Sequence, residues 1–183
     1  MIKPRHGSAS RHVFYTNREG VKGLLPLVPQ PVIQECLKGP EITVDALISS
    51  GGKVVHYVPR RRIRTLAGES IQGVTIDDHD LRSWLIDVLN TRNLHLNAVS
   101  AGGGRGPVTL QAFITDTGPV LTEVNPRFGG GYPLSHAAGG RYTDWIVADL
   151  EGRPIQVELG SYVRGLHMSR FHVEHFAAGP LWT

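Results

Sequence analysis

The sequence predicts an α+β fold in which helices pack on an antiparallel β-sheet. Two turn-like segments, residues 49–52 and 115–118, each separate two runs of alternating apolar and polar residues, as in β-hairpins. Apolar residues recur at helical spacing over residues 77–90 and 142–150. Hairpins make neighbouring strands antiparallel, and the amphipathic helices need a sheet on which to bury one face.

The composition indicates a globular protein with one domain or two small lobes. The chain has 183 residues, of which 40% are hydrophobic and 19% charged, with a net charge of +3. No apolar run approaches the roughly 18 residues that cross a membrane, and no secretory signal opens the chain. Cys36 is the only cysteine, so we expect no internal disulfide, a reducing cytoplasm, and a buried, unreactive thiol.

The elements follow in order along the chain. Met1 to Pro4 resembles the end of a strand, so we expect a missing segment upstream, and residues 17–28 hold a short helix before two prolines. Strands are predicted at residues 12–16, 32–37, 41–48, 53–58, 108–114, 156–163 and 166–171. Alternation in the third of these runs, residues 41–48, places Ile42, Val44, Ala46 and Ile48 on one face, which is expected to be core. Asp77 or Asp78 caps the helix that ends at Asn90.

The second hairpin carries a candidate metal site. Glu123 and Asn125 are two residues apart on one strand and share a face, and a hairpin centred on Thr117 would place Gln111 opposite Glu123. Three oxygen donors on one face suit Mg²⁺ that bridges nucleotide phosphates. Arg127 and the glycines at 129–131 follow, which leaves a cation at the strand end. The alternative is a polar surface hairpin without a ligand.

Three other segments have the composition of ligand-binding elements. Lys3 at a strand end, followed by small residues at 7–10, has the parts of a phosphate-covering loop, although a plain hairpin loop explains them as well. The extended segment 32–41 can meet an adenine edge, with Gln34 at the amino group and Glu41 on the ribose; a polar loop is the alternative. The arginines at 60–62 and 64 suit phosphate or carboxylate, or form a solvated strand edge. Without an aromatic platform, nucleic acid is the weaker alternative.

Taken together, four stretches resemble the ATP-grasp superfamily, in particular short proteins similar to the large subunit of carbamoyl-phosphate synthase. They are residues 2–11, 33–45, 106–111 and 123–131, in the family's order, and the resemblance covers nearly the whole chain. It implies an ATP-grasp fold, with residues 1–30 as a remnant of the small ATP-binding lobe and residues 31–183 as the C-terminal lobe.

The resemblance also implies a role for each candidate residue. Phosphate would be held by Lys3 and covered by a mobile loop that includes Gly7, Ser8 and Ser10. Adenine would meet the backbones of Glu35 and Leu37 and the side chain of Gln34, and ribose would meet Glu41. One or two Mg²⁺ ions, or Mn²⁺, would be bound by Gln111, Glu123 and Asn125.

The implied reaction is ATP-dependent activation of a carboxylate, followed by attack of an amine, and it yields an amide, ADP and phosphate. Arg127 would stabilise the transferred phosphoryl group or the acyl-phosphate. Family members carry an N-terminal domain and a further phosphate-binding lysine before the Lys3 strand, so a fragment that needs a partner chain or a homodimer is the alternative. Gln34 stands where an acidic residue is frequent. The sequence does not specify the acid or the amine, and residues 60–64 and 129–136 are the local segments expected to contribute to their selection.

Overall fold

The computed structural model describes residues 1–6, 11–66, 69–90 and 104–171, together with residues 173 and 176. The strands are β1 (Ile2–Pro4), β2 (Pro31–Ile33), β3 (Glu41–Ile48), β4 (Val54–Leu66), β5 (Glu69–Thr75), β6 (Gly106–Thr115), β7 (Gly118–Asn125) and β8 (His167–Ser169). The helices are α1 (Val21–Leu24), which runs into a 3₁₀ turn at Leu25–Leu27, α2 (Arg82–Leu89), α3 (Tyr132–Ala137) and α4 (Tyr142–Leu150).

The strands form two sheets, and every paired neighbour is antiparallel. The larger sheet has six strands in the order β7-β6-β3-β4-β5-β8, and β1 pairs with β2 in a separate sheet of two. Both predicted hairpins are present, as β3–β4 and β6–β7. The α+β expectation is therefore confirmed.

One face of the larger sheet forms the core with α2. The four alternating residues of β3, from Ile42 to Ile48, are at most 2% exposed, and Leu85 and Leu89 of α2 are fully buried in the same cluster. Burying a leucine side chain contributes about 1.5–3 kcal/mol. The helical spacing recognised in the sequence thus holds α2 on the sheet.

The other face of β3 is buried as well, although it is polar. Thr43 and Asp45 point away from the α2 side, and both are 2% exposed. Ser135 of α3 and Tyr142 of α4 each donate a hydrogen bond to Asp45. The chain after β7 therefore covers this second face and determines which of its polar groups remain accessible.

Helix α2 begins later than the sequence predicts because Asp78 has another role. Its buried carboxylate accepts from the hydroxyls of Tyr57 and Tyr162, at 2.6 and 3.1 Å, and from Arg164 at 2.6 Å. Burial by itself would raise the pKa of Asp78, but these hydrogen bonds outweigh it and the pKa is lowered. Asp78 joins β4 to the segment before β8, and the helix starts at Arg82.

Several predicted strands are shorter than expected or absent, because strand-like composition makes a strand only where a partner is available. The run at residues 12–16 makes a single bridge, between Phe14 and Ile2, and the run at 32–37 ends at Ile33. Residues 156–163 form no strand, and the run at 166–171 contributes only β8. Conversely, the run at 53–58 continues to Leu66, because β5 pairs with its second half.

Two further corrections concern the environment of single features. Cys36 is exposed, not buried, and its sulfur lies 3.1 Å from the amino group of Met1. The glycine turn that begins at residue 129 leads directly into α3, a helix that the sequence did not suggest. Pro133 stands in the first turn of α3, where a missing N–H is not needed.

The small sheet extends past the boundary suggested at residue 30. β2 begins at Pro31, and the pairing continues at Gln34, whose N–H donates to the carbonyl of Met1 at 2.9 Å. The division into two lobes stays a prediction. Within the described part of the chain, the helices are too short and too polar to cross a membrane.

His56 of β4 makes stability depend on pH. Its ring is fully buried against Trp145, and Nε2 donates to the carbonyl of Ser161 at 2.8 Å. Burial lowers the pKa of His56 below its ordinary value of 6.5, although the hydrogen bond to Ser161 partly opposes this shift. The folded protein therefore holds the neutral ring, whereas the unfolded chain takes up a proton below about pH 6.5.

We predict that acidification from pH 7.5 to 5.5 lowers the free energy of unfolding, by at most roughly 1.4 kcal/mol per pH unit from this one group. His56→Gln keeps a neutral donor for Ser161 and should reduce the pH dependence. Urea denaturation at a series of pH values measures it. An unchanged pH dependence in the variant would show that other groups are responsible.

Candidate active site

The β6–β7 hairpin brings Gln111 opposite Glu123, as the sequence predicts, and Thr109 opposite Asn125. The pairing depends on a β-bulge that the sequence reasoning did not include. Thr115 pairs with Gly118, so the turn is centred before Thr117, and the register shifts between Gln111 and Ala112. Thr122 is the extra residue, and its hydroxyl donates to the carbonyl of Gln111 at 3.0 Å.

Glu123, Asn125 and Arg127 form a chain of polar contacts where β7 ends. Asn125 Nδ2 donates to Glu123 Oε1 at 2.8 Å, and an Arg127 Nη2 donor lies 3.4 Å from Asn125 Oδ1. The other end of the guanidinium donates to the carbonyl of Phe128 at 3.1 Å. Glu123 and Arg127 are exposed, so both can meet a ligand without rearrangement of the core.

The donors present here fit a hard divalent cation. The side chains of Gln111, Glu123 and Asn125 supply oxygens, which Mg²⁺ prefers. Among the described residues, no group of three or more His, Cys, Asp or Glu side chains forms a metal cluster, and Glu123 is the one carboxylate among the three proposed ligands. A cation at this site would therefore need phosphate oxygens or water to complete its coordination and balance its charge.

A buried ion pair lies beside the hairpin. Arg60 Nε donates to Asp45 Oδ2 at 2.8 Å, and each side chain is 3% exposed. Asp45 also accepts from Ser135 at 2.6 Å and from Thr109 at 3.1 Å. Burial raises the pKa of Tyr142, whose protonated hydroxyl donates to the Asp45 carbonyl at 2.8 Å. Four donors from β4, β6, α3 and α4 therefore converge on Asp45.

The glycines after Arg127 lie directly on this ion pair. A Cβ atom on Gly131 would be 2.4 Å from Cζ and Nη1 of Arg60, and a Cβ on Gly129 would be 3.0 Å from Oδ1 of Asp45. A side chain at Gly131 would collide with the guanidinium. Glycine is therefore required at positions 129 and 131 by the close approach of the loop to the Asp45–Arg60 pair.

These elements line a cavity of about 380 Å³ that is open to solvent on one side. Its lining residues come from β3 to β7 and the glycine loop: Thr43, Arg60, Arg62, Ser70, Thr109, Gln111, Asn125, Arg127, Phe128, Gly129, Gly130 and Gly131. Thr43 lies in register between Gln111 and Arg60. Its buried hydroxyl has no hydrogen-bond partner among the residues that the structure describes.

The candidate nucleotide-binding residues lie outside this cavity wall. Lys3 is half-buried in β1, and Gln34 extends the pairing of the small sheet. The described residues provide no hydrogen-bond partner for the backbone of Glu35 or Leu37, which leaves both available to a base. Their roles stay predictions. The loop candidates Gly7, Ser8 and Ser10 lie outside the described residues.

The arginine cluster is not a solvated strand edge. β4 is an interior strand, and Arg60 is buried, whereas Arg61 and Arg64 are exposed. Arg62 forms an ion pair with Glu41, whose other carboxylate oxygen could still accept from a ribose hydroxyl. The four arginines therefore do not form one basic surface, which weakens the nucleic-acid alternative.

Sequence reasoning missed the residues beneath the loop. Thr43, Asp45 and Thr109 were not proposed as site residues, nor was Ser135. One signal was available, because Asp45 places a charge within the apolar run from Val44 to Ile48, and a buried carboxylate requires hydrogen-bonding partners. Its partner Arg60 is fifteen residues away and could be chosen from the cluster only once the strand register was known.

The model of one protein family matches residues 28–171, and the description of that family is "ATP-grasp in the biosynthetic pathway with Ter operon". No curated protein matches the chain.

Two solved structures illustrate the similarity in fold. One is the biotin carboxylase domain dimer of 2-oxoglutarate carboxylase from Hydrogenobacter thermophilus, in complex with MgADP, ADP and bicarbonate. It has a TM-score of 0.64 and 12% identity, and the match covers 91% of this chain and 39% of that one. The other is a biotin carboxylase–β,γ-ATP complex from Campylobacter jejuni. It has a TM-score of 0.55 and 16% identity, and the match covers 73% of this chain and 30% of that one. The chain spans less than two fifths of their length.

The contact between Gly131 and Arg60 can be tested by mutation. Gly131→Ala should displace the guanidinium from Asp45 and destabilise the fold by on the order of 1–3 kcal/mol, because the added methyl group overpacks a closed site. Thermal denaturation measures the loss. Gly23→Ala is the matched control, because a Cβ there has no heavy atom within 4 Å. Equal stability of the two variants would contradict the proposed packing.

Proposed function

The chain belongs to the ATP-grasp family described as "ATP-grasp in the biosynthetic pathway with Ter operon", and from this premise we propose that it binds Mg-ATP and takes part in an ADP-forming ligation of a carboxylate to an amine. The observation that carries the proposal is the register of the β6–β7 hairpin. It aligns Gln111 with Glu123 and leaves Asn125 and Arg127 at the adjoining strand end.

The nucleotide would extend from the segment after β2 towards the hairpin. In this proposal the backbones of Glu35 and Leu37, which have no hydrogen-bond partner within the described ranges, meet the adenine edge. Gln34 reaches the amino group, and Glu41 accepts from the ribose while it keeps its ion pair with Arg62. Lys3, in the paired strand β1, would hold phosphate, with Gly7, Ser8 and Ser10 in the covering loop. An extended segment with free peptide groups suits this use, because a planar base presents both donors and acceptors.

The hairpin would hold the metal and the reacting groups. Mg²⁺, or Mn²⁺ in its place, would neutralise phosphate charge when bound by Gln111, Glu123 and Asn125. A carboxylate oxygen attacks the γ-phosphorus, the bond to the β-phosphate oxygen breaks, and ADP leaves with that electron pair. Arg127, exposed at the strand end, would donate to the phosphoryl oxygens during transfer.

The second half of the reaction consumes the acyl-phosphate. The amine nitrogen attacks the acyl carbon, the carbon–oxygen bond to phosphate breaks, inorganic phosphate leaves with the electron pair, and the nitrogen loses a proton. The described residues contribute mainly positioning and charge neutralisation to both steps. This chemistry requires no nucleophilic side chain.

We predict that Mg-ADP or Mg-ATP raises the melting temperature of the protein, because a ligand that binds only the folded state stabilises it. At a ligand concentration one hundred times Kd, the gain is about 2.7 kcal/mol. Mg²⁺ without nucleotide should have little effect, since Glu123 is the one carboxylate among the three proposed ligands. Differential scanning fluorimetry measures all three conditions.

Glu123→Ala should abolish the protection by Mg-nucleotide without loss of the fold, because Glu123 is exposed and contributes nothing to the core. Glu158→Ala removes an exposed carboxylate that is not part of the β6–β7 hairpin and is the matched control. No protection of the wild-type protein at millimolar nucleotide would contradict nucleotide binding. Protection that is unchanged in Glu123→Ala would remove Glu123 from the site.

A second candidate is a nucleotide-binding chain that needs another polypeptide, or a second copy, for turnover. Exposed apolar side chains in and beside the small sheet favour it, because Tyr15, Leu27 and Ile33 are 76%, 56% and 57% exposed. Each of them exposes apolar area that a further strand or subunit could cover.

This candidate predicts that the chain alone binds Mg-ADP but releases no ADP from ATP when candidate acids and amines are supplied. A coupled ADP assay on the purified chain, with and without a separately encoded partner, provides the measurement. Turnover by the monomeric chain alone would rule the candidate out.

A further inference from the structure

We propose that the cavity between Arg127 and Arg62 binds a small acid that carries two anionic groups, so that one carboxylate is activated beside Arg127 and the second is held by Arg62 and Ser70. The inference rests on the proposed function for the activation of the first carboxylate. The second subsite follows from the cavity wall alone.

Every charged side chain on the described wall is cationic. Arg60, Arg62 and Arg127 line the cavity, whereas the carboxylates that pair with the first two, Asp45 and Glu41, are not part of the lining. A guanidinium has five N–H donors, and Asp45 accepts from the Nε of Arg60. The wall therefore presents N–H groups and positive charge to the cavity, while Asp45 and Glu41 lie on the same face of the sheet, each paired with its own arginine.

The floor of the cavity has a vacant hydrogen-bonding group. Thr43 is 2% exposed, and its hydroxyl has no partner among the described residues although it lies between Gln111 and Arg60. A buried hydroxyl without a partner is costly. An oxygen of a ligand in the cavity would satisfy it. Ser70 also lines the cavity, and its hydroxyl, which donates to the carbonyl of Gln72 at 3.2 Å, would redirect that hydrogen bond to an anion.

The dimensions of the sheet set the separation of the two anionic groups. The wall runs from β7 through β6 and β3 to β4 and β5. The carbonyl of Arg127 accepts from Thr109 of β6 at 3.0 Å, so the loop that carries Arg127 lies over β6 and not over β7. Neighbouring strands are about 4.8 Å apart, so β6 and the Arg62 strand β4 are separated by roughly 10 Å. Side chains project into this space from both ends, which leaves a distance that a short carbon chain can bridge.

The wall disfavours a long hydrocarbon chain. Phe128 is the one large apolar side chain among the lining residues, and the rest are glycines, hydroxyls, amides and guanidinium groups. An apolar acyl group would desolvate these polar groups without replacing their hydrogen bonds. A second oxyanion would replace them.

The experiment compares dicarboxylates with monocarboxylates of equal length, from malonate to adipate and from propionate to hexanoate, by calorimetry and thermal shift in the presence of Mg-ADP. We expect the dicarboxylates to bind more tightly, by about tenfold to a hundredfold, because the additional hydrogen bonds involve charged groups. Equal effects of the two series would overturn the proposal.

Variants locate the second subsite. Arg62→Gln should remove the preference for dicarboxylates, and Arg64→Gln, the same change at an exposed position on the same strand, should retain it. Thr43→Val should lower dicarboxylate affinity by about twofold to tenfold without loss of stability in the ligand-free protein, because no described residue makes a hydrogen bond with the deleted hydroxyl. Identical behaviour of the Arg62 and Arg64 variants would overturn the assignment.

Two further arms separate related outcomes. In the first, inorganic phosphate replaces the acid. If the binding of phosphate depends on Arg62, and dicarboxylates and monocarboxylates bind equally well, the subsite holds phosphate and the proposal is wrong. In the other, Mg-ADP is omitted. If dicarboxylates bind in an Arg62-dependent way but the protein does not bind Mg-ADP, the proposed ligase function is rejected and the subsite is retained. If the protein binds Mg-ADP but shows no Arg62-dependent binding of dicarboxylates, the subsite alone is rejected.

Discussion

Opposite charges on Asp45 and Arg60, each 3% exposed, lie at the centre of the larger sheet, and the elements around the cavity are arranged about them. Removal of one partner from a buried ion pair typically costs about 3–5 kcal/mol, because the other charge is left without compensation. Asp45 is accordingly satisfied from several directions, by Ser135 of α3 and Thr109 of β6 among others. The same contacts that satisfy a charge also fix α3 against the sheet.

Stability alone does not explain such a pair, since a well-packed apolar pair of similar volume often stabilises a protein as well or better. The ion pair has two structural consequences that an apolar pair would lack. It directs a guanidinium into the cavity, and it provides a flat surface on which Gly129 and Gly131 can lie in van der Waals proximity. Arg127 is attached to that loop, so the position of an exposed cation depends on a buried one.

The sequence predicted those features that depend on local pattern. Alternation located β3, helical spacing located α4 with its bounds of Tyr142 and Leu150, and the turn located the β6–β7 hairpin. The sequence did not predict which side chains pair with each other when they lie far apart in the chain. Nothing near Asp78 in the chain indicates that Tyr162 and Arg164 will bind its carboxylate, and nothing near Asp45 selects Arg60. The buried polar half of the site was therefore missed, whereas the pairing of Gln111 with Glu123 was found.

The bulge at Thr122 has a consequence for the alignment of related sequences. Because Leu121 pairs with Ala112 and Glu123 with Gln111, the residues before and after Thr122 follow different alternations. A relative that lacks the extra residue would present the same carboxylate with one residue fewer between it and the turn. A gap placed at Thr122 keeps each residue on its proper face, but a gap placed in the turn assigns the intervening positions to the wrong side of the sheet.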